Sequence, residues 1–291
     1  MRTATKKAGI VKWVDGSPVV SFPYAGRRII RHVSRITSNG DGNTKLRKNG
    51  LSGEFATVGV ALSPHKSGGI GNLCTDASDA CVDGCLNNTG LGAVFASIQH
   101  ARIAKTIAYY RARQWFLSTL FHEVLVARRR AIANGKHLAM RPNVFSDIIW
   151  EDVYPSMFSQ FHDVQFYDYT KHANRTGLVL PNYWVTFSRS ETNHDDCLRV
   201  LSRGHNVAVV FDPGMTSSQL CKLKTDDRPK LPRSWNGFDV IAGDDSDLRF
   251  DDLRGRTRGK VVGLLLKSAT HQQRIDAVES GFALRIRGRT T

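Results

Sequence analysis

Seven short apolar runs constrain the fold of this chain more than any other feature. They are rich in Val, Ile, Leu and aromatic residues, and turn-forming or polar residues bound them. Runs that are apolar on both faces and are separated by crossover-length segments are typical of parallel strands linked by helices. We therefore predict an α/β fold, specifically a TIM-like (β/α) barrel that is complete or partial. The runs are residues 55–62, 137–142, 164–169, 182–187, 206–211, 238–243 and 260–266.

The longest helical pattern lies between the first and second runs. Apolar residues recur at helical spacing from Ala93 onwards, and the pattern stops at Asn134 and Gly135, a typical C-terminal signal. A pattern of roughly forty residues exceeds the usual length of a helix in a globular protein, so we predict two consecutive helices.

The charge of the chain is strongly positive and is concentrated near its N-terminus. Lys and Arg number 41 against 26 Asp and Glu, a net charge of +15, which favours a polyanionic partner, above all nucleic acid. We predict that residues 1–50 are a basic, partly strand-forming extension and that residues 51–291 are the barrel domain with a basic C-terminal tail. The predicted phosphate contacts are Arg27, Arg28, Arg31, Lys45, Arg47 and Lys48.

Neither a membrane span nor a secretory signal is evident in the sequence. No apolar run is long enough to cross a bilayer, and the first residues lack the apolar region of a signal peptide. We expect no membrane partner and a cytoplasmic location.

Three closely spaced cysteines follow the first apolar run and indicate a metal site. Cys74, Cys81 and Cys85 have the spacing C-x6-C-x3-C. Three thiols with an undefined fourth ligand suit an iron–sulfur cluster with one open iron, or zinc with an exchangeable ligand. His65 or His100 would complete the alternative zinc site. Cys197 and Cys221 are isolated in the sequence, and we expect both to pack in the interior.

Polar residues follow each predicted strand, where ligands bind in parallel α/β folds. As a set, they indicate a polar site for a ligand that carries a phosphate or an amine. The residues that we select as catalytic or ligand-contacting are Asn143, Asp147, Asp168, Ser188, Arg189 and Asp244.

Several segments together carry a resemblance to a known family. They read GVALSPHKSGGIGNLCTDASDACVDGCLNNTG, ARIAKT, RPNVFSDIIWE, VQFYDYTKHANR, WVTFSRSE and VIAGDDSDLRF. Over about residues 40–267 the chain resembles a family of phage and plasmid proteins, the gene-product-eighty-eight type, which is similar to radical-SAM proteins. The resemblance implies that Cys74, Cys81 and Cys85 hold a [4Fe-4S] cluster whose open iron chelates S-adenosylmethionine. It implies that Asn143, Asp147, Asp168, Ser188 and Arg189 contact that cofactor, and that the cytoplasm is that of a bacterial host.

Two other classes of function fit the residues. A metal-dependent nuclease or replication factor would hold Mg²⁺ with the acidic group Asp244, Asp245, Asp247, Asp251 and Asp252. A non-catalytic nucleic-acid-binding protein would use a cluster or zinc only to staple the cysteine loop. In that protein Tyr109, Tyr110 and Trp115 would stack on bases beside Arg111 and Arg113.

Overall fold

The structure is a computed structural model that divides into two compact units. The first comprises residues 1–75 and 91–166, and the second comprises residues 76–90 and 167–291. The model describes residues 8–40, 53–85, 87, 92, 94–177, 180–224, 227–246, 248–250 and 258–286.

The described residues form strands and helices that alternate along most of the chain. The strands are β1 (Gly9–Val14), β2 (Ser17–Tyr24), β3 (Arg27–His32), β4 (Thr37–Asn39), β5 (Phe55–Val60), β6 (His137–Arg141), β7 (Gln165–Thr170), β8 (Tyr183–Ser188), β9 (Val207–Asp212), β10 (Ser234–Trp235), β11 (Phe238–Ala242), β12 (Val261–Leu265) and β13 (Leu284–Arg285). The helices are α1 (Asp79–Asp83), α2 (Ala96–Arg111), α3 (Arg113–Ala133), α4 (Trp150–Val153), α5 (Pro155–Gln160), α6 (His194–Ser202), α7 (Ser217–Lys222) and α8 (His271–Glu279), with a 3-10 turn at Ala173–Gly177.

The first unit is built on the strand order β4-β5-β6-β7. Strand β4 is antiparallel to β5, whereas β5 and β6, and β6 and the start of β7, pair in parallel. Helix α3 packs on β5 and β6. The interior between them is apolar, with Val60, Phe116, Leu120 and Met140 fully buried, and burial of such side chains is the main force that stabilises this layer.

A separate antiparallel sheet, β1-β2-β3, lies in the same unit. Its turns at Asp15–Gly16 and Ala25–Gly26 place all four residues at positive φ, the geometry of a tight hairpin. The sheet packs on α2, where the rings of Phe22 and Tyr24 meet His100 edge-on at centroid distances of 6.0 and 4.5 Å. The predicted strand-forming character of this basic region is therefore confirmed.

A buried lysine and a glutamate fix the segment between β3 and β4 to the two long helices. The Glu123 carboxylate accepts hydrogen bonds from the backbone N–H groups of Ile36 and Thr37 and from the Thr37 hydroxyl. Lys105 Nζ donates to the carbonyl of Ile36 at 3.0 Å. Burial lowers the pKa of Lys105 to about 8, and the attraction of Glu123 opposes that shift only in part.

This shift predicts how the stability of the protein depends on pH. Between about pH 8 and pH 10.5 Lys105 is neutral in the folded protein but still protonated in the unfolded protein. The free-energy cost of burying the charged ammonium on folding therefore disappears as pH rises through this window. The unfolding free energy of the wild type, relative to Lys105→Met, is expected to rise by up to about 3 kcal/mol across the window. Urea unfolding of both proteins at pH 7.5, 9 and 10.5 measures the difference. A difference that does not change with pH would show that Lys105 titrates normally.

The second unit is built on the strand order β7-β8-β9-β12-β11-β10. The pairs β8–β9, β9–β12 and β11–β12 are parallel, and β10 is antiparallel to β11. Strand β8 pairs with the first residues of β9, whereas β13 pairs with its last residues, Phe211 and Asp212. The core of this unit contains the buried residues Phe187, Cys197, Val200, Leu201, Val207, Val209, Phe211, Phe238 and Val261.

The secondary structure agrees closely with the sequence predictions. All seven apolar runs are strands (β5, β6, β7, β8, β9, β11 and β12), and the long helical segment is two helices, α2 and α3. A mixed α/β fold with a mostly parallel sheet is confirmed. Among the described residues, no hydrogen-bonded pair closes the strands into a barrel, so the TIM-like barrel is not confirmed. The predicted boundary at residue 50 lies outside the described residues and stays a prediction.

Candidate functional site

The loop that carries Cys74 follows β5 and is held against α2 by two glycines. A Cβ atom at Gly68 would lie 2.7 Å from Thr106 Cγ2, and one at Gly71, which has φ +70°, would overlap the phenol ring of Tyr110. The Tyr110 hydroxyl donates to the carbonyl of Asn72 at 3.1 Å, and the Asn72 side chain accepts from the backbone N–H of Cys74 at 2.9 Å. The loop therefore requires glycine where it touches the helix, and these contacts fix the backbone at Cys74.

The sulfur of Cys74 is half-buried and has polar neighbours. It accepts the backbone N–H of His65 at 3.3 Å, and as a thiol it donates to the carbonyl of Phe145 at 3.6 Å. N–H···S hydrogen bonds stabilise thiolates and tune metal–sulfur centres. The N–H donor of His65 therefore suits a metal-bound thiolate, which would no longer donate to Phe145.

The loop after β6 is organised around the buried Asn143. Its Oδ1 accepts from Ser146 Oγ, the backbone N–H of Ile148 and Trp150 Nε1, and its Nδ2 donates to the carbonyl of Ile148. The structure thus uses the Asn143 amide to shape its own loop, and a direct ligand contact by this residue stays a prediction. Asp147, on the same loop, is partly exposed, and its backbone N–H donates to the carbonyl of Leu73 at 2.8 Å.

The other two site cysteines belong to the second unit, on and directly after the short helix α1. The Ser78 hydroxyl caps this helix by accepting the backbone N–H of Cys81 at 3.3 Å. Cys81 packs against an apolar cluster that contains Leu266 and Phe282, and both Cys81 and Cys85 are half-buried and outside any disulfide. Each thiol is therefore accessible for ligation.

Two cations surround Phe282 in the second unit. Lys171, after β7, donates to the carbonyls of Ser188 and Arg189 at 3.1 and 2.7 Å, and its Nζ lies 5.7 Å from the centre of the Phe282 ring. Arg189 Nη1 donates to the carbonyls of Gly281 and Phe282 at 2.8 and 3.1 Å. Burial lowers the pKa of Arg189. Arg189 thus anchors the chain that leads into β13, a role that its predicted ligand contact did not include.

Asp168 lies in a buried network that sequence reasoning did not find. The Tyr183 hydroxyl donates to Asp168 Oδ2 at 2.9 Å and accepts from Arg175 Nη2 at 2.7 Å. All three side chains are buried. The one sequence signal for this network was Arg175. It lies in the loop that follows β7, and the last residues of that strand are acidic and aromatic. Ser188, at the end of β8, is partly exposed, and its carbonyl also accepts from Asn193 Nδ2.

The acidic segment predicted to bind Mg²⁺ is described only in part. Asp244 Oδ2 accepts the backbone N–H of Leu265 at 2.8 Å, and Lys267 Nζ lies 2.8 Å from Oδ1. This ion pair neutralises Asp244, and Asp245 is exposed. Asp247, Asp251 and Asp252 lie outside the described residues. Nothing in the described part of this segment favours the nuclease interpretation.

The described residues contain no group of three or more His, Cys, Asp or Glu side chains arranged to hold a metal ion. The three-cysteine metal site therefore stays a prediction. His100, an alternative zinc ligand, packs between α2 and the antiparallel sheet, and burial, together with the nearby Arg31, lowers its pKa. His65 approaches Cys74 through its backbone N–H.

The remaining cysteines differ from each other. Cys197 is fully buried, as predicted, and burial raises the pKa of its thiol to about 12, so it is protonated at neutral pH. Cys221 is exposed on α7, and the prediction that it packs in the interior is wrong, because the short helix turns this residue outward.

The predicted phosphate contacts on β3 point to two faces of the antiparallel sheet. Arg27 and Arg31 pair with Tyr24 and Val20 and share the face that packs on α2. Arg28 is exposed on the opposite face, together with Ile30, which is 64% exposed. Lys12 of β1 shares that second face because it pairs with Val19, the partner of His32. Lys45, Arg47 and Lys48 lie outside the described residues.

The aromatic residues proposed to stack on bases are engaged within the first unit. Tyr109 is buried and meets Phe116 and Trp150 edge-on, at centroid distances of 5.4 and 6.0 Å. Tyr110 covers the cysteine loop, and Trp115 meets Trp13 at 6.4 Å. The stacking prediction is wrong for Tyr109, because helical spacing directs this side chain into the core.

The model of a family described as gene product 88 matches residues 34–284. No curated protein and no solved structure matches the chain. Within the described residues, none of the helices has the length and apolar character needed to cross a membrane.

Proposed function

We propose that this chain, which belongs to the gene product 88 family, is an iron–sulfur, radical-SAM-like enzyme of phage or plasmid origin that acts on or near nucleic acid. Cys74, Cys81 and Cys85 would hold a [4Fe-4S] cluster, and the parallel strands would form a partial barrel. The fourth iron would be free to chelate S-adenosylmethionine. Zinc on the same thiols is the alternative metal.

The observation that carries the proposal is the attachment of the cysteine segment to the end of β5. This strand is the first of the parallel strands, and ligand sites in parallel α/β folds lie at the carboxyl ends of strands. Glycine contacts with α2 and the Asn72 hydrogen bonds hold the part of the segment that carries Cys74 there. Such a fixed loop, with half-buried reduced thiols, is what a cluster requires.

The polar residues after the strands divide into two roles under this proposal. Asn143 and Arg189 position loops, since their side chains are hydrogen-bonded within the protein. Asp147 and Ser188 are partly exposed and are the candidates for contact with the amine, carboxylate or ribose of the cofactor. Asp168 would act from within its network with Tyr183 and Arg175.

The fit of the cluster rests on donor chemistry alone. The three thiols are of the right type and exposure, and Cys74 receives an N–H···S hydrogen bond. Among the residues that the structure describes, no three His, Cys, Asp or Glu side chains are arranged to hold a metal ion.

Electron paramagnetic resonance of the anaerobically purified and reduced full-length protein tests the cofactor assignment. The proposal expects the signal of a reduced [4Fe-4S] cluster and a change in that signal when S-adenosylmethionine is added, because the cofactor would bind the open iron. A cluster signal that S-adenosylmethionine leaves unchanged would contradict the radical-SAM assignment. Tightly bound zinc in place of iron would contradict the cluster.

The nucleic-acid partner is supported by two exposed cations on one face of the antiparallel sheet, Lys12 and Arg28. Replacing Lys12 and Arg28 together with glutamine is expected to weaken binding to duplex DNA and to reduce the slope of log K against log salt by about 0.9 for each phosphate that the variant no longer neutralises. Fluorescence anisotropy at several salt concentrations measures both quantities. Arg129→Gln together with Arg130→Gln, two exposed changes on α3, is the matched control and is expected to bind like the wild type. Equal weakening in the control and in the sheet variant would contradict this surface.

A further inference from the structure

A cavity of about 590 Å³ lies in the second unit at the end of β9, and none of its lining residues is among those assigned to the proposed cluster or to S-adenosylmethionine. Its charged lining consists of Asp212, Arg274, Glu279 and Arg285, and its apolar lining includes Ile275 and Val278. The carboxyl end of a parallel strand is a usual position for ligands in α/β folds, and the volume lies in the range of small-molecule sites.

Asp212 holds one edge of the Arg274 guanidinium and leaves another available. Arg274 Nη1 donates to Asp212 Oδ2 at 2.6 Å, and the second oxygen of Asp212 accepts the backbone N–H of Gly214 at 2.9 Å. Asp212 thus has a donor on each oxygen. Arg274 Nε is buried and has no hydrogen-bond partner in the described part of the chain, although the side chain as a whole is 17% exposed. A buried N–H donor without a partner is costly, and a rotation of the guanidinium that exposed Nε to the cavity would let a bound anion satisfy it.

Arg285 adds a second guanidinium to the same cavity. It lies on β13, where it pairs in parallel register with Asp212, and it is exposed. Two guanidiniums in one cavity suit a phosphate, because the planar fork of arginine binds two phosphate oxygens at once. Asp212 and Glu279 balance the formal charges of the two guanidiniums, so an anion would be bound through their paired hydrogen-bond donors and not through an excess of positive charge.

The other lining residues match the rest of a nucleotide. Glu279 is exposed at the cavity and offers a carboxylate, the group that commonly accepts hydrogen bonds from ribose hydroxyls. Ile275 and Val278, one turn of α8 apart, offer an apolar wall for a base. We propose that this cavity binds a mononucleotide, with its phosphate on Arg274 and Arg285 and its ribose at Glu279.

Isothermal titration of the full-length protein tests this proposal, with AMP and CMP as probes. Adenosine and inorganic phosphate separate the contributions of the two ends of the ligand. Saturable binding of AMP or CMP is expected, with adenosine and phosphate each at least about tenfold weaker, since each lacks one set of charge-assisted or polar contacts. Binding of inorganic phosphate as tight as that of AMP would overturn the nucleotide assignment, and so would the absence of saturable binding.

Two variants locate the binding. Arg285→Gln changes an exposed side chain, and Arg274→Lys keeps the charge beside Asp212 but removes the guanidinium fork. Each is expected to weaken AMP binding at least about tenfold. Arg203→Gln, exposed after α6 and outside the cavity, is the matched control and is expected to bind like the wild type. If Arg274→Lys fails to fold, Arg285→Gln alone decides, and unchanged binding in that variant overturns the proposal. The experiment needs no metal, so its outcome is separate from that of the iron–sulfur proposal.

Discussion

Serine in place of Cys81 is expected to reduce the iron content of the reconstituted protein from about four atoms per chain to a small fraction of that value. A hydroxyl is a much poorer iron ligand than a thiolate, and a three-thiolate cluster has no spare protein ligand. Cys74→Ser and Cys85→Ser are expected to give the same loss. Iron and sulfide assays after anaerobic reconstitution measure it.

Cys221→Ser is the matched control for this series. Cys221 is an exposed thiol on α7, outside the cysteine segment, so its loss is expected to leave the iron content unchanged. Retention of the full iron content in all three site variants would contradict the cysteine assignment. Equal loss of iron in the control and the site variants would indicate non-specific binding of iron to thiols.

Alanine in place of Gly71 is expected to destabilise the protein by about 2–4 kcal/mol. The new methyl group would overlap the Tyr110 ring, and alanine at φ +70° adds backbone strain. The overlap is relieved if the loop moves away from α2 or if the Tyr110 ring turns aside. Either movement would break the hydrogen bond from Tyr110 to Asn72, and the first would also displace Cys74. Urea unfolding measures the free energy, and the iron assay measures the displacement.

Gly69→Ala separates the two causes. Gly69 has φ +68°, almost the same backbone conformation, but nothing lies within 4 Å of a Cβ built there. This variant is therefore expected to carry the backbone strain alone, on the order of 1 kcal/mol, and to keep its iron. If both variants lose the same stability, the contact between the loop and Tyr110 is not what holds the cysteine segment in place.

The strands and long helices were predictable because each depends on a local pattern. The run at residues 206–211 is apolar on both faces and became the central strand β9, while the spacing of Ile103 and Ile107 predicted helix α2. Strand β13 was not predictable. It has only two residues and forms because β8 pairs with the start of β9 and leaves the end of β9 free for another strand.

The candidate site was less predictable, because the roles of polar residues depend on partners that are distant in sequence. Arg189 was selected as a ligand contact, but its partners are the carbonyls of Gly281 and Phe282. Arg175 and Tyr183 were not selected, although they complete the network around Asp168. Sequence spacing gives the residue types at strand ends and does not give the contacts that decide whether a side chain binds a ligand or holds a loop.

Analysis of metal and acid-labile sulfide in the anaerobically purified full-length protein tests the central claim most directly. The account predicts about four irons and four sulfides per chain, with a broad absorption band near about 400 nm. One zinc per chain with no sulfide, or a protein that retains no metal after anaerobic reconstitution, would contradict it.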